Sequence, residues 1–214
     1  MAVTRDGSPV EIYLRLPPRG EAELVHGAIP TGAEILELGC GVGRVTHELI
    51  RLGHPVVAVD ESPEMLAHVR GAETVNARIE ELDLGRRFPC VLLASHFVNA
   101  EDDERDALLH ACVRHLAGDG GVLIERYEPD EAPTESTGQI GEVTVSTRDV
   151  RHEGRRFSAV AEYQVDGRTW EQPFAAVLLD DAQLERALRR VGLTLARTLD
   201  ERGVWVEARL YSEP

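Results

Sequence analysis

The chain has 214 residues, 43% of them hydrophobic, which is enough to bury one ordinary core without disulfides or a structural metal. Its 38 acidic and 23 basic residues give a net charge of −15, which argues against binding to a nucleic-acid backbone or to an anionic membrane surface. All the basic residues are Arg, and the absence of Lys excludes Schiff-base and phosphate-loop lysine chemistry.

The predicted elements alternate between strands and helices over residues 34–126. In chain order the pattern predicts a helix over 21–29, strand 35–38, helix 42–52, strand 55–60, a helix opened by Ser62 and Pro63, strands near 74–77 and 90–94, helix 101–116, a turn at 118–121, strand 122–125 and, near the end, a helix from Asp180 to Val191 and strands 193–199 and 204–210. Alternation of this kind predicts a Rossmann-like α/β fold, with a parallel sheet and helices on both faces.

A different pattern follows Pro129. Apolar residues alternate along 143–150, 157–165 and 170–176, and Asp166-Gly167 is a strong hairpin signal. We therefore expect an antiparallel three-stranded β-meander, inserted after the fifth strand over residues 142–179, within a single domain covering 1–214.

The three cysteines, Cys40, Cys90 and Cys112, lie far apart and form no CxxC pair, which is typical of reduced thiols. No apolar run reaches the roughly 18 residues of a membrane span, and residues 1–9 contain no hydrophobic signal core. These features predict a cytoplasmic protein without a membrane partner.

The segment from Ile35 to Arg44 predicts a strand, a turn with glycines at alternate positions, and a helix. Because Gly39 and Gly41 lack Cβ atoms, a ligand can lie against the backbone, and the helix N-terminus offers free N–H groups. Asp60 ends the next strand, where a carboxylate can accept both hydroxyls of a ribose. Together they predict a site for a nucleoside-containing cofactor.

Two kinds of nucleoside cofactor use this geometry. The dinucleotide fingerprint needs a glycine at position 44, where this chain has Arg44. Glu37 would also place an anion against a pyrophosphate. Both departures disfavour a nicotinamide-dependent oxidoreductase, which stays the less favoured alternative.

Four segments resemble class I S-adenosylmethionine-dependent methyltransferases. They are Glu37-Leu38-Gly39-Cys40-Gly41-Val42-Gly43, Asp60-Glu61-Ser62-Pro63-Glu64-Met65-Leu66, Ala77-Arg78-Ile79-Glu80-Glu81-Leu82 and Leu116-Ala117-Gly118-Asp119-Gly120-Gly121-Val122-Leu123. The resemblance implies a seven-stranded, mostly parallel sheet whose last strand is antiparallel. It also implies S-adenosyl-L-methionine as cofactor and methyl transfer to an O, N or C nucleophile of a small molecule.

The same resemblance implies which residues hold the cofactor. Gly39 and Gly41 would pass under its amino-acid part, and Asp60 would bind the ribose. Arg78 stands where the family often has an Asp that accepts the adenine amino group, so Glu80, a backbone carbonyl or packing alone would read adenine. The expected cofactor residues are Tyr13, Gly39, Cys40, Gly41, Asp60, Glu61, Met65, Arg78, Ile79, Glu80 and Ser95.

Candidate catalytic side chains follow the fourth and fifth strands, at the edge where open α/β sheets bind ligands. His96 either takes a proton from a substrate hydroxyl or amine, or is a structural, cofactor-packing histidine. Alternation lets only some of Glu125, Arg126 and Tyr127 face the substrate, and Glu125 is the catalytic candidate. Asn99 either polarises the substrate or caps the following helix.

The meander is the largest addition to the minimal fold. Because it follows the fifth strand, we expect it to form a lid or wall of the substrate pocket, with Tyr163, Trp170 and Phe174 as candidate packing residues. Alternation along the strands means that some of these three face the outer side of the sheet or a second subunit instead. A local patch of Arg151, Arg155 and Arg156 could bind a substrate carboxylate.

A cofactor-binding regulatory protein without catalytic activity is the main alternative to an enzyme. No HExxH or similar ligand spacing occurs, so the sequence suggests no metal site. A small-molecule substrate is the expected partner, nucleic acid is not expected, and monomer and homodimer both stay open.

Overall fold

The structure is a computed structural model that describes residue 4, residues 7–129 and residues 131–211. Its strands in these ranges are β1 Ile35–Leu38, β2 Val56–Asp60, β3 Glu73–Asn76, β4 Phe88–Leu93, β5 Leu116–Glu125, β6 Ser136–Ile140, β7 Val143–Glu153, β8 Arg156–Val165, β9 Arg168–Val177, β10 Leu193–Thr198 and β11 Trp205–Leu210. They form a seven-stranded sheet of order β10-β11-β5-β4-β1-β2-β3 and a four-stranded sheet of order β6-β7-β8-β9. In the larger sheet β1 to β5 are parallel, as the strand and helix alternation predicted.

Helices cover both faces of the larger sheet. They are α1 Val10–Tyr13, α2 Glu21–Ala28, α3 Arg44–Arg51, α4 Pro63–Leu66, α5 Asp102–His115 and α6 Asp181–Arg190, with short 3-10 turns at Ile79–Glu81 and Phe97–Asn99. One core packs α2 and α3 against the sheet through Val25 and Leu49, and the other packs α5 and α6 through Leu109 and Leu188. None of the helices in the described ranges combines the length and the apolar character needed to cross a bilayer.

The edge strands confirm what the family resemblance implied. β11 is antiparallel to both β5 and β10, which completes a seven-stranded mixed sheet. The predicted turn at 118–121 is wrong, because β5 already begins at Leu116 and runs through it. A Cβ on Gly120 would lie 2.8 Å from the carbonyl oxygen of Pro89, and one on Gly121 would lie 2.9 Å from a carboxylate oxygen of Glu207. The glycines therefore allow close strand packing and do not mark a turn.

The inserted region contains one strand more than predicted. All neighbouring strands in the smaller sheet are antiparallel, as expected, but β6 precedes the three predicted strands. Its residues are polar and mostly exposed, so the edge strand has no apolar alternation that the sequence could reveal.

Helix starts follow local chemistry. The Ser62 hydroxyl accepts a hydrogen bond from the Met65 N–H, and Asp180 and Gln183 form the predicted capping box. α3 begins two residues later than the predicted Val42, because Gly43 is left-handed with φ of 84°.

The N-terminal segment ties the two sheets together. Ile12 of α1 is fully buried against Val143, Tyr163 and Val165 of the smaller sheet. Just before α1, the Ser8 hydroxyl accepts a 2.9 Å hydrogen bond from the Gln172 side chain. The segment therefore joins the smaller sheet to the carboxyl edge of the larger one, where Ser8 also lines a cavity.

Candidate functional site

The glycine turn between β1 and α3 needs its glycines for two separate reasons. Gly39, Gly41 and Gly43 all have positive φ, at 75°, 56° and 84°, a region that side chains with a Cβ rarely adopt. A Cβ on Gly39 would also lie 2.4 Å from the ring of Phe97. The Gly39 N–H donates to the Val59 carbonyl at 2.9 Å, which fixes the turn against the end of β2.

Asp60 is held rigidly beside this turn. One carboxylate oxygen accepts from the Gly41 N–H at 2.8 Å and the other from the Ser62 N–H at 2.9 Å. These two backbone donors fix the orientation of the Asp60 carboxylate at the position predicted for a ribose.

A cavity of about 340 Å³ opens at Asp60, within the size range of small-molecule sites. Its lining is Thr4, Ser8, Gly39, Asp60, Glu61, Met65, Ala77, Arg78, Ile79, Glu80, Phe97, Glu104 and Leu108. Seven of the eleven expected cofactor residues are in this lining. They lie at or just after the carboxyl ends of β1, β2 and β3.

The other four expected residues lie next to the cavity but do not line it. Gly41 contacts Asp60 through its N–H, and Tyr13 packs in a small cluster with Met65. Cys40 is buried, and burial raises the pKa of its thiol well above the usual range, so it stays protonated. Ser95 lies in the turn after β4.

Sequence reasoning missed several lining residues. Thr4 and Ser8 arrive through the N-terminal segment, Phe97 through the turn after β4, and Glu104 and Leu108 through α5. Glu104 and Leu108 are four apart and so share one face of α5, but no local signal says that this face borders a cavity.

Glu37 is buried below the glycine turn, where the Thr46 hydroxyl donates to its carboxyl at 2.6 Å. Burial, with a smaller contribution from the charge of Asp60, raises the pKa of Glu37 to about 7, although Thr46 and Arg44 oppose the shift. Glu37 is therefore partly protonated near neutral pH.

The turn after β4 is strained. Ser95 and His96 both have positive φ, at 56° and 60°, which non-glycine residues adopt at an energetic cost. The Glu125 carboxylate accepts a 2.7 Å hydrogen bond from the Ser95 N–H, and the His96 ring stacks on Tyr127 with centroids 4.2 Å apart. These contacts hold the imidazole in place.

The His96 imidazole is mostly buried, and its surroundings favour the neutral form. Its Nδ1 atom is buried and has no hydrogen-bond partner among the described residues. Burial, followed by the charge of Arg19, lowers the pKa of His96, while Glu125 and the Arg126 backbone partly oppose this. The ring is thus uncharged at neutral pH.

Two other polar candidates have structural contacts instead. The Arg126 guanidinium is almost fully buried and donates to the carbonyls of Gly203 and Leu179 and to Asp181. The Asn99 amide donates to the Val177 carbonyl at 2.7 Å, and its oxygen accepts from the Tyr127 N–H at 3.0 Å. Asn99 therefore joins the two sheets, and the expected cap of α5 is wrong because Glu101 precedes that helix.

A second cavity of about 670 Å³ lies on the other side of this turn, with His96, Glu125 and Tyr127 in its wall. Phe157 and Phe174 of the smaller sheet complete an aromatic corner, in which successive rings pack edge to face at 5.2 and 5.8 Å. Of the three residues expected in the pocket wall, only Phe174 lines it. Tyr163 and Trp170 pack at the other end of the sheet, around Ile12.

The second cavity is acidic. Its lining contains five carboxylates, from Glu21, Glu125, Glu128, Glu131 and Asp200, against three guanidiniums, from Arg19, Arg126 and Arg202. The excess of two negative charges favours a cationic ligand over an anionic one. Among the described residues, no group of three His, Cys, Asp or Glu side chains could hold a metal ion.

The expected Arg patch is largely neutralised. Arg155 donates to the Leu178 carbonyl at 2.7 Å and pairs with Asp180 at 3.3 Å, while Arg156 pairs with Glu101 at 3.0 Å. Neither guanidinium lines the second cavity.

Comparison with known proteins gives one matching family. A family described as a methyltransferase domain matches residues 35–120. Among curated relatives, a cypemycin N-terminal methyltransferase from Streptomyces is 32% identical over 108 residues, which cover 47% of this chain and 44% of that protein. A dTDP-3-amino-3,6-dideoxy-alpha-D-glucopyranose N,N-dimethyltransferase from Streptomyces fradiae is 29% identical over 192 residues, 81% of this chain and 75% of that one. The chain thus matches less than half the length of the cypemycin relative.

Solved structures share the fold over nearly the whole chain. An S-adenosylmethionine-dependent methyltransferase from Clostridium acetobutylicum superposes with a TM-score of 0.75 at 16% identity, covering 94% of this chain and 95% of that one. The sugar N-methyltransferase KedS8 from Streptoalloteichus superposes with a TM-score of 0.70 at 22% identity, covering 98% of this chain and 97% of that one. At these identities the likeness establishes a common architecture.

Proposed function

We propose that this chain is a class I S-adenosylmethionine-dependent methyltransferase and that it transfers a methyl group to an amine nitrogen of a small molecule. The observation that carries the proposal is the Asp60 carboxylate, which two backbone N–H groups fix beside the glycine turn at the mouth of a ligand-sized cavity. The three buried free thiols would stay reduced in the cytoplasm, which is where we propose that the protein works.

The first cavity suits S-adenosyl-L-methionine. Asp60 offers an acceptor to each ribose hydroxyl, and Ile79 and Leu108 supply apolar surface for the adenine ring. Gly39 brings the backbone close to the bound molecule. When bound, the cofactor supplies a methyl group on a sulfonium, which is a good electrophile.

The chain's main task is then to hold the acceptor in line with that methyl group. His96 and Phe97 are adjacent in sequence but line different cavities, so the turn after β4 stands between the two ligands. Fixing two reactants in an attack geometry supplies several kcal/mol of the barrier reduction.

His96 supports an amine acceptor chemically. An amine is mostly protonated at neutral pH and must lose a proton before its lone pair can attack. The neutral His96 imidazole lines the second cavity and can accept this proton, a contribution of roughly 10²- to 10⁴-fold. We propose that Glu125 positions His96 through its hydrogen bond to the Ser95 N–H.

The acidic second cavity also favours an amine. Its excess negative charge attracts an ammonium group, and its aromatic corner packs against the apolar face of a ring. Two similar proteins are named for N-methylation of sugars, one of them an amino sugar, which supports nitrogen over oxygen or carbon as the acceptor atom.

Binding of S-adenosylhomocysteine tests the role of Asp60. Calorimetry should show that S-adenosylhomocysteine binds the unmodified chain, and that Asp60→Ala weakens its affinity about 10- to 100-fold, because two hydrogen bonds to a charged acceptor are lost. Glu201→Gln, which removes an exposed carboxylate elsewhere, is the control and should bind normally. Equal affinity of Asp60→Ala and the unmodified chain would contradict the proposal.

Turnover separates an enzyme from a regulatory binding protein. A panel of amines and alcohols, matched in ring structure, should yield S-adenosylhomocysteine only with amines. Binding of the cofactor without any turnover would instead support the regulatory alternative. Preference for the alcohols would overturn the assignment of the acceptor atom.

A further inference from the structure

A cavity that binds a nucleoside needs a group that distinguishes one base from another. The lining includes Ala77, Ile79 and Leu108, which can pack on a purine ring but cannot distinguish the bases. Two carboxylates also line the cavity next to these apolar residues: Glu80 follows Ile79, and Glu104 shares a face of α5 with Leu108. Because the 6-amino group of adenine is a hydrogen-bond donor, either carboxylate could identify it.

Glu80 already has a strong partner. Its carboxylate accepts a 2.7 Å hydrogen bond from the Arg78 guanidinium, which also reaches Glu81 at 3.5 Å. Arg78 itself offers only donors, so it cannot accept from an amino group. Glu80 is therefore already engaged in an ion pair within its own segment.

Glu104 differs from Glu80 in both position and partners. It has no hydrogen bond or ion pair with any described residue. It lies in the first turn of α5, four residues before Leu108, so the two side chains share the face of α5 that borders the cavity. The nearby acids Asp102 and Glu101 are instead paired, with Arg105 and Arg156.

We infer that Glu104 reads the base, by accepting a hydrogen bond from the 6-amino group of adenine. The inference rests on the proposed function, because it requires an adenosyl cofactor in this cavity. A carboxylate here also disfavours purines with a 6-oxo group, since two acceptors would face each other.

The test compares two ligands and three proteins. The ligands are S-adenosylhomocysteine and its purine analogue, in which hydrogen replaces the 6-amino group. The proteins are the unmodified chain, Glu104→Ala and Asp103→Asn. Asp103 is an exposed neighbour outside the cavity lining, so its substitution removes the same charge from the same helix end.

We expect the unmodified chain to bind S-adenosylhomocysteine about tenfold more tightly than the analogue, as for one hydrogen bond to a charged group. Glu104→Ala should reduce this ratio to about twofold or less, and Glu104→Gln, which keeps an acceptor oxygen, should fall between them. Asp103→Asn should leave the ratio unchanged. The double comparison isolates the contact between Glu104 and the amino group from general effects on binding.

The outcomes separate the two proposals. If the unmodified chain does not bind S-adenosylhomocysteine, the proposed function fails, and this inference fails with it. If it binds but Glu104→Ala leaves the ratio unchanged, only the role of Glu104 is overturned. Because Glu104 is exposed, its substitution should leave the thermal midpoint nearly unchanged, which a melting curve checks.

Discussion

At the scale of single residues, the partners of a side chain decide its role. His96, Asn99, Glu125 and Arg126 all follow strand ends at the same edge of the sheet, and all are chemically capable of catalysis. Of these four, only His96 keeps a buried side-chain nitrogen without a hydrogen-bond partner among the described residues. Asn99 and Arg126 use their polar atoms to hold neighbouring segments together, so the sequence could nominate these residues but could not rank them.

Glu37 gives a prediction at this scale. Its pKa of about 7 in the folded chain is above the unfolded value near 4.5, so its contribution to stability is full below pH 4.5 and is lost as the pH rises through 7. Glu37→Gln cannot ionise and still accepts from the Thr46 hydroxyl. It should raise the free energy of unfolding at pH 8.5, by on the order of 2 kcal/mol, and give little gain at pH 5.

Denaturant unfolding of both proteins between pH 5 and pH 8.5 measures this difference. Glu64→Gln, which removes an exposed carboxylate, serves as control. It should change the free energy of unfolding by the same amount at pH 5 and at pH 8.5. If Glu37→Gln stabilised the chain by the same amount at every pH, ionisation of the Glu37 carboxyl group would not be the cause of the stabilisation.

At the scale of elements, glycines have two distinct meanings in this chain. In the turn before α3 they provide left-handed backbone, whereas Gly120 and Gly121 in β5 allow neighbouring strands to approach. The sequence predicted the first correctly, because strand, turn and helix follow one another. The prediction of a turn at Gly120 and Gly121 was wrong, because these glycines are needed where β5 packs closely against β4 and β11, and that contact exists only in the folded sheet.

The turn before α3 offers a matched comparison. Gly39→Ala introduces both left-handed strain and a clash with Phe97, whereas Gly53→Ala introduces strain alone, since nothing lies within 4 Å of its Cβ. We expect Gly53→Ala to cost about 1 kcal/mol of unfolding free energy and Gly39→Ala clearly more. Gly39→Ala should also weaken binding of S-adenosylhomocysteine, as calorimetry would measure.

Adding Phe97→Ala to Gly39→Ala should recover part of the lost stability, because the ring that meets the new Cβ is gone. If Gly39→Ala and Gly53→Ala lowered the free energy of unfolding equally, the contact with Phe97 would not contribute to the effect of Gly39→Ala.

At the scale of the whole molecule, β9 of the smaller sheet lines one cavity and holds a segment that lines the other. Phe174 lies in the wall of the second, acidic cavity, and the Gln172 side chain donates a hydrogen bond to Ser8, which lines the first cavity. We propose that this sheet forms the substrate wall predicted for residues 142–179. The wall then begins earlier than predicted, at Ser136, because β6 belongs to the same sheet.

Phe174→Ala tests that role. We expect it to raise KM for an amine substrate several-fold, because the aromatic corner loses one wall, and to leave the affinity for S-adenosylhomocysteine unchanged. Trp170→Ala removes an aromatic ring of β9 outside the acidic cavity and should not raise KM. If Phe174→Ala weakened cofactor binding and left KM unchanged, the assignment of the second cavity to the substrate would be wrong.

The sequence by itself determined the larger sheet, the helices on both faces, the glycine turn and Asp60, because strand and helix periodicity and turn chemistry are local properties. Only the tertiary structure decided that β6 pairs at an exposed edge, that Tyr163 and Trp170 lie outside the second cavity, and that Phe97, Glu104 and Leu108 line the first cavity. Those facts depend on which surfaces meet across the fold, and contacts between residues far apart in the chain leave no periodic trace in the sequence.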